Sequence, residues 1–198
     1  MTRTNMLTRG RWLWGGGAAV AVIALAVGAV LFQPWLLFVD VTVADAIPTT
    51  VATSPSASPA GPAPAATVEP VEVPAIEVPA PAGPVDLLAG SFVSHEHGTT
   101  GSARVIQHPD GRHQLAIEGL ETSNGPDVHV WLSAGPVVEG ADGWYTAAGF
   151  DHVDLGPIKG NLGDQLYDIP AEVDLAAFRT VDLWCERFAV SFGAAALA

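Results

Sequence analysis

The sequence predicts an all-β fold: a single compact β-sandwich or barrel-like domain, preceded by one transmembrane helix and a proline-rich linker. Three observations carry that expectation. Apolar and polar residues alternate at period two in several short runs after residue 87, the pattern of strands with one face buried. Gly, Pro, Asn and Asp separate those runs at fairly regular spacing, as in sandwiches and barrels. The 112 residues of 87–198 are close to the commonest size for one domain with one core.

The elements follow in chain order. Residues 1–11 carry Arg3, Arg9 and Arg11 and no acid, so they read as a cytoplasmic tail. Residues 12–38 contain no charge and include GGGAAVAVIALAVGAVLF (15–32), then Pro34 and WLLFV (35–39). About 20 apolar residues cross a hydrocarbon core, which predicts a single-pass anchor. Ala44-Asp45-Ala46 has the look of a signal-peptidase site, but a signal's apolar core is only about 7–15 residues. Trp12, Trp14 and Trp35 fall near the ends of the span, where aromatic rings favour the membrane interface. The basic residues precede the span and every acid follows it, from Asp40 on. The body is therefore expected outside the cytoplasm, on a cell-membrane anchor.

Residues 40–86 read as an extracytoplasmic linker, with ten of the sixteen prolines between Pro48 and Pro84. Proline removes amide donors and fixes φ, so neither helix nor sheet propagates there. At about 3.1 Å per residue such a chain would reach on the order of 100 Å from the membrane.

In the domain, GSARVIQH (101–108) and RHQLAIEG (112–119) flank Pro109-Asp110-Gly111, a hairpin signal. Leu115 and Ile117 share one face of the second run, opposite Gln114 and Glu118. In PDVHVWLS (126–133), Val128, Val130 and Leu132 oppose His129 and Trp131. Further strands are expected at 91–95, 144–147, 152–155, 165–169 and 181–192, with one short helical turn in 173–179. In 181–188 both faces are apolar, so the run does not say which one meets the core.

Charge excludes one class of partner. After residue 39, 5 basic residues face 21 acids, a balance of −16 that suits neither phosphates nor counterion release, and no nucleic-acid partner is expected. HEHGT (95–99) lacks the second histidine of a zinc-protease helix, and no nucleophile elbow, P-loop or dinucleotide-binding glycine run occurs. A blue-copper site is disfavoured too, because no His follows Cys185 and both methionines precede the span. Asp127, Asp151, Asp154, Asp164 and Asp168 lack the spacing of a calcium loop.

Two groups of residues remain as candidates. His95 and His97 would project from one face of a strand, with His129 as a third metal ligand from another; exposed or hydrogen-bonded histidines at a strand end are the favoured account of the pair. Cys185 is the single cysteine, so an internal disulfide is impossible. It suits a small buried hydrophobe, a redox thiol, a haem ligand or an intermolecular bridge.

The order of four segments resembles the DM-thirteen domain, described as an electron-transfer domain: GSFVSHEHGTTGSARV (90–105), NGPDVHVWLSAG (124–135), LGPIKGNLGDQLYDIP (155–170) and VDLWCERFAVSFGAAAL (181–197). The resemblance spans nearly the whole domain and leaves out the anchor and linker. It implies a compact β domain with a redox role centred on the characteristic cysteine, here Cys185, as a free thiol or as ligand to a prosthetic group such as haem. His97, four residues before Gly101, matches the family's histidine and is the second candidate cofactor ligand; His95 has no counterpart. Asp127 and Trp184 also match, in places where a turn and core packing account for them.

Three functions follow as expectations. One is a membrane-tethered redox module that exchanges electrons with a partner. Another is a non-catalytic surface module that binds an envelope component or partner protein. The third is a metal-binding domain using His95 and His97. No assembled nucleophile–base pattern supports a hydrolase.

Overall fold

A computed structural model describes residues 20–50 and 83–198. The chain is all-β, with one nine-stranded sheet that curls over on itself into a half-barrel. Its strands are β1 (Thr42–Ala44), β2 (Val85–Ser94), β3 (Thr100–Gln107), β4 (His113–Glu121), β5 (Val128–Ser133), β6 (His152–Pro157), β7 (Leu162–Ile169), β8 (Thr180–Cys185) and β9 (Val190–Ala196). The order across the sheet is β1-β7-β4-β3-β2-β9-β8-β5-β6. Strand β2 is the fold line: Val85–Ser91 pairs with β3, and Phe92–Ser94 pairs with β9. A register shift between Asp86 and Leu88 helps it bend.

The core lies between the two halves. Leu115 and Ile117 of β4 face Val128, Val130 and Leu132 of β5 and Val181, Leu183 and Cys185 of β8 across it. The period-two alternation in the sequence therefore reads the buried face correctly. The hairpin at Pro109-Asp110-Gly111 is also present, with Gly111 at φ 85 and its amide bonded to the His108 carbonyl.

Strand β8 buries both faces. Its outward residues Asp182 and Trp184 lie under the connection 134–151, where Trp131, Ala147 and Trp184 form a second small core. The strand expected at 144–147 is instead a turn that links two 3-10 elements, Gly140–Gly143 and Ala147–Gly149. Local bonds favour the turns: the Trp144 amide donates to the Ala141 carbonyl, and the Thr146 hydroxyl to the Asp142 carbonyl. The single strand expected at 181–192 is a hairpin, β8 and β9, turned at 186–189 with Ala189 at φ 51. The helical turn at 173–179 forms, held by the Phe178 amide on the Asp174 carbonyl.

Before the sheet, residues 20–32 are helical and largely exposed despite their apolar side chains. Among the described residues no helix is long and apolar enough to cross a membrane. The predicted span 12–38 begins outside the described residues. The helix stops at Gln33, which adopts a left-handed φ of 43 just before Pro34. Arg187 donates to the Leu31 carbonyl at 2.6 Å, and Phe32 stacks on Phe188.

The chain then runs straight into the sheet. Within the span read as linker, β1 pairs in parallel with β7, and Val85 already belongs to β2. The proline-rich stretch 51–82 lies outside the described residues. Buried Asn161 fixes the entry of β1: its Oδ1 accepts from the Val41 amide, and its Nδ2 reaches Asp40 and the Thr122 carbonyl. Lys159 then pairs with Asp45.

Candidate functional site

Cys185 ends β8, and strand parity turns its side chain inward with Val181 and Leu183. It is fully buried, opposite Val128 and Val190, at the start of the 186–189 turn. Burial pushes its thiol above the usual cysteine range, and the Phe188 and Arg187 amides pull the other way without cancelling that effect. A reactive thiolate needs exposure and positive surroundings, whereas the one charged group acting on Cys185 is the carboxylate of Asp127. Replacing Cys185 by Ala is expected to cost about 1–2 kcal/mol of stability by leaving a small void. A bulky disulfide reagent should meanwhile modify the native thiol only at the rate of unfolding. Fast stoichiometric labelling of the folded protein would refute that placement.

His95 and His97 do not sit on a strand, because β2 ends at Ser94. They part company across β9, whose consecutive side chains point to opposite faces. His95 bonds to Ser191, with Nδ1 2.7 Å from the hydroxyl, while the His97 ring packs on Phe192 at 3.9 Å. His129 lies elsewhere, on the outer face of β5. Its Nδ1 is 2.9 Å from Asp154 and 3.9 Å from Glu186, and its Nε2 is 3.6 Å from Asp127. The structure thus does not gather His95, His97 and His129 into a metal site. Among the described residues His129, Asp154 and Glu186 are the one group with three potential ligand atoms within 4.8 Å. All three carboxylates around His129 are more than a third exposed, and hydrogen bonding to the imidazole accounts for the cluster.

Buried His95 belongs to a polar network that the sequence reading missed. Its Nε2 lies 3.0 Å from the Val138 carbonyl, so Nε2 carries the hydrogen. In the neutral ring Nδ1 then accepts from the Ser191 hydroxyl. Ser191 also meets Asp182, 2 % exposed, whose carboxyl burial pushes up to about 7. Burial lowers His95 in turn. A protonated Asp182 donating to Ser191, which donates to a neutral His95, satisfies the chain in one direction. The Oδ1 of Asp182 and the Nε1 of Trp131 are buried without a partner among the described residues. An aspartate inside the apolar run VDLWC was the available signal.

His97 lines a different space. Between the residues that leave the N-terminal helix and the hairpin ends of the sheet lies a cavity of about 470 Å3. Phe32, Pro34 and Leu36 form one wall; Trp144, Tyr145, Phe188, Val190 and Phe192 form the other. Glu96, His97, Asn124 and Gln33 supply its polar groups, and Glu96 holds His97 Nε2 at 2.5 Å. Gly125 lets Phe192 close the floor, since a Cβ there would lie 2.9 Å from the ring. Apolar walls with a few convergent polar groups, at this size, are those of a small-molecule site.

A haem held through Cys185 does not fit this arrangement, because the thiol is sealed in the core and is not on the cavity wall. Of the two candidate cofactor ligands only His97 reaches the cavity.

A curled, mostly antiparallel sheet that seals its cysteine in the core and carries a cavity with aromatic walls and one histidine defines a small β domain. The family model described as electron transfer DM13 matches residues 91–197, more than half of the sequence, and the chain belongs to that family. Comparison with curated proteins and with solved structures finds no match.

Proposed function

We propose that this chain is a membrane-anchored, extracytoplasmic electron-transfer domain whose redox group binds in the cavity beside His97, with Cys185 serving as packing. The observation that carries this reading is the cavity itself, where aromatic walls converge on the His97–Glu96 pair. Membership of the electron transfer DM13 family supports the redox role. The uncharged run 12–38, with arginines before it and acids after it, supports the anchor and its orientation.

The test is a potentiometric titration, followed by absorption, of the natively expressed chain extracted in mild detergent. A reversible signal that survives Cys185→Ala and is lost or displaced in His97→Leu is the expected outcome. A signal lost in Cys185→Ala and indifferent to His97 would return the redox role to the thiol.

A second reading, a non-catalytic surface module for an envelope component or partner protein, draws on the sealing of Cys185. It is favoured if the extracted protein shows no redox signal at all.

A further inference from the structure

The wall of the His97 cavity has an unusual origin. Phe32 ends the apolar helical run 20–32, and it closes the space from the side of that helix. The helix end is fastened there: Arg187 holds the Leu31 carbonyl, Phe32 stacks on Phe188 at 5.9 Å, and Asn124 donates to the Val39 carbonyl. If residues 12–38 span the membrane, the cavity lies at the interface, and a bilayer-dissolved molecule reaches it without passing through water. This step rests on the anchored reading given above.

The chemistry of the walls narrows the occupant. Phe32, Trp144, Tyr145, Phe188 and Phe192 offer ring faces, which suit a flat π-system. A saturated acyl chain would use none of that geometry and would have no need of His97. His97, held at Nε2 by Glu96, stands with Gln33 and Asn124 among the polar groups of a mostly apolar wall, and with its second ring nitrogen protonated it donates to a ring carbonyl. At about 470 Å3 the space admits one such ring with the start of a tail. The geometry points to a membrane-soluble quinone as the ligand, its ring between the cavity aromatics and one carbonyl at His97, its isoprenoid tail leaving toward the helix.

The experiment uses the full chain in lipid nanodiscs and a benzoquinone bearing a decyl tail. Saturable quenching of Trp144 fluorescence, taken as the difference from Trp144→Phe, is expected. His97→Leu should weaken the apparent affinity about tenfold, the order of one hydrogen bond lost from an apolar site. Gly125→Val, whose added carbons crowd Val128 and Phe192 at the cavity floor, should abolish it, with thermal unfolding confirming that the variant is folded. A tail-less benzoquinone should bind more weakly, and dodecanoate should not compete. Equal competition by dodecanoate would make the cavity a lipid-chain site, and unsaturable quenching or an unchanged affinity in His97→Leu would also overturn the proposal. If quinone binding fails while the extracted protein keeps a His97-dependent redox signal, the quinone assignment alone falls.

Discussion

Asp182→Asn is expected to stabilise the protein above neutral pH, by about 2–4 kcal/mol. The wild-type carboxyl is buried with one oxygen unpaired among the described residues, and burial pushes it up to about 7 from the 3.8 of an exposed aspartate. Between those values the unfolded chain has released the proton and the folded chain has kept it. The native state then binds more protons, so stability falls as pH rises from about 4 to about 7 and is level above that. At about 1.4 kcal/mol per pH unit, the whole span is worth about 4 kcal/mol. Asparagine carries no charge at any pH, which removes the slope and keeps a donor for Ser191. Denaturant unfolding of both proteins at pH 4.5 and pH 8 measures the difference, and other titrating groups cancel in the comparison. Parallel pH profiles would show that Asp182 is ionised in the folded state, with the Asp182–Ser191–His95 chain running the other way.

Gly163→Ala should expel β1 from the sheet, at a cost of about 2–4 kcal/mol. Gly163 has φ 95, where an alanine is strained. A Cβ at Gly163 would also stand 2.0 Å from the Val43 carbonyl oxygen, a backbone atom of the neighbouring strand. β7 cannot yield easily, because its other edge is paired with β4, whereas β1 is three residues long and at the sheet edge. Hydrogen exchange should show peptides over 41–45 losing protection while those of β4 and β8 keep theirs. Retained protection at Val43 would mean that the strand pair relaxes around the methyl. Loss across the whole sheet would mean that β1 is integral to folding.

These two sites also mark where the sequence was legible. Strands with one wet face, such as β4, announce themselves through Leu115 and Ile117 against Gln114 and Glu118. β8 does not, because the connection 134–151 buries its outer face as well, and that cover is a tertiary fact. Distance in sequence hid the partners of His95: Val138 in that connection and Ser191 on β9 are 43 and 96 residues away. The motif singled out His97, but the cavity it lines needs the Phe32 segment packed against it. The parity rule used for His95 and His97 failed because β2 stops one residue too soon for it to apply. β1 was invisible, since three residues at an edge carry no period.

The pairing of β1 with β7 changes what a cut in the chain would do. Strands β1 and β2 belong to one sheet with β7, β4 and β3 between them, so about 19 Å separates them at 4.8 Å per strand spacing. The sheet therefore holds the chain on both sides of 51–82, and on the anchored reading proposed above that stretch bears no load between anchor and domain. A protease that nicks it once should release nothing into the medium. The two fragments should co-purify from the membrane under native conditions and separate only on denaturation, so shedding of this domain would require a cut before Thr42 instead.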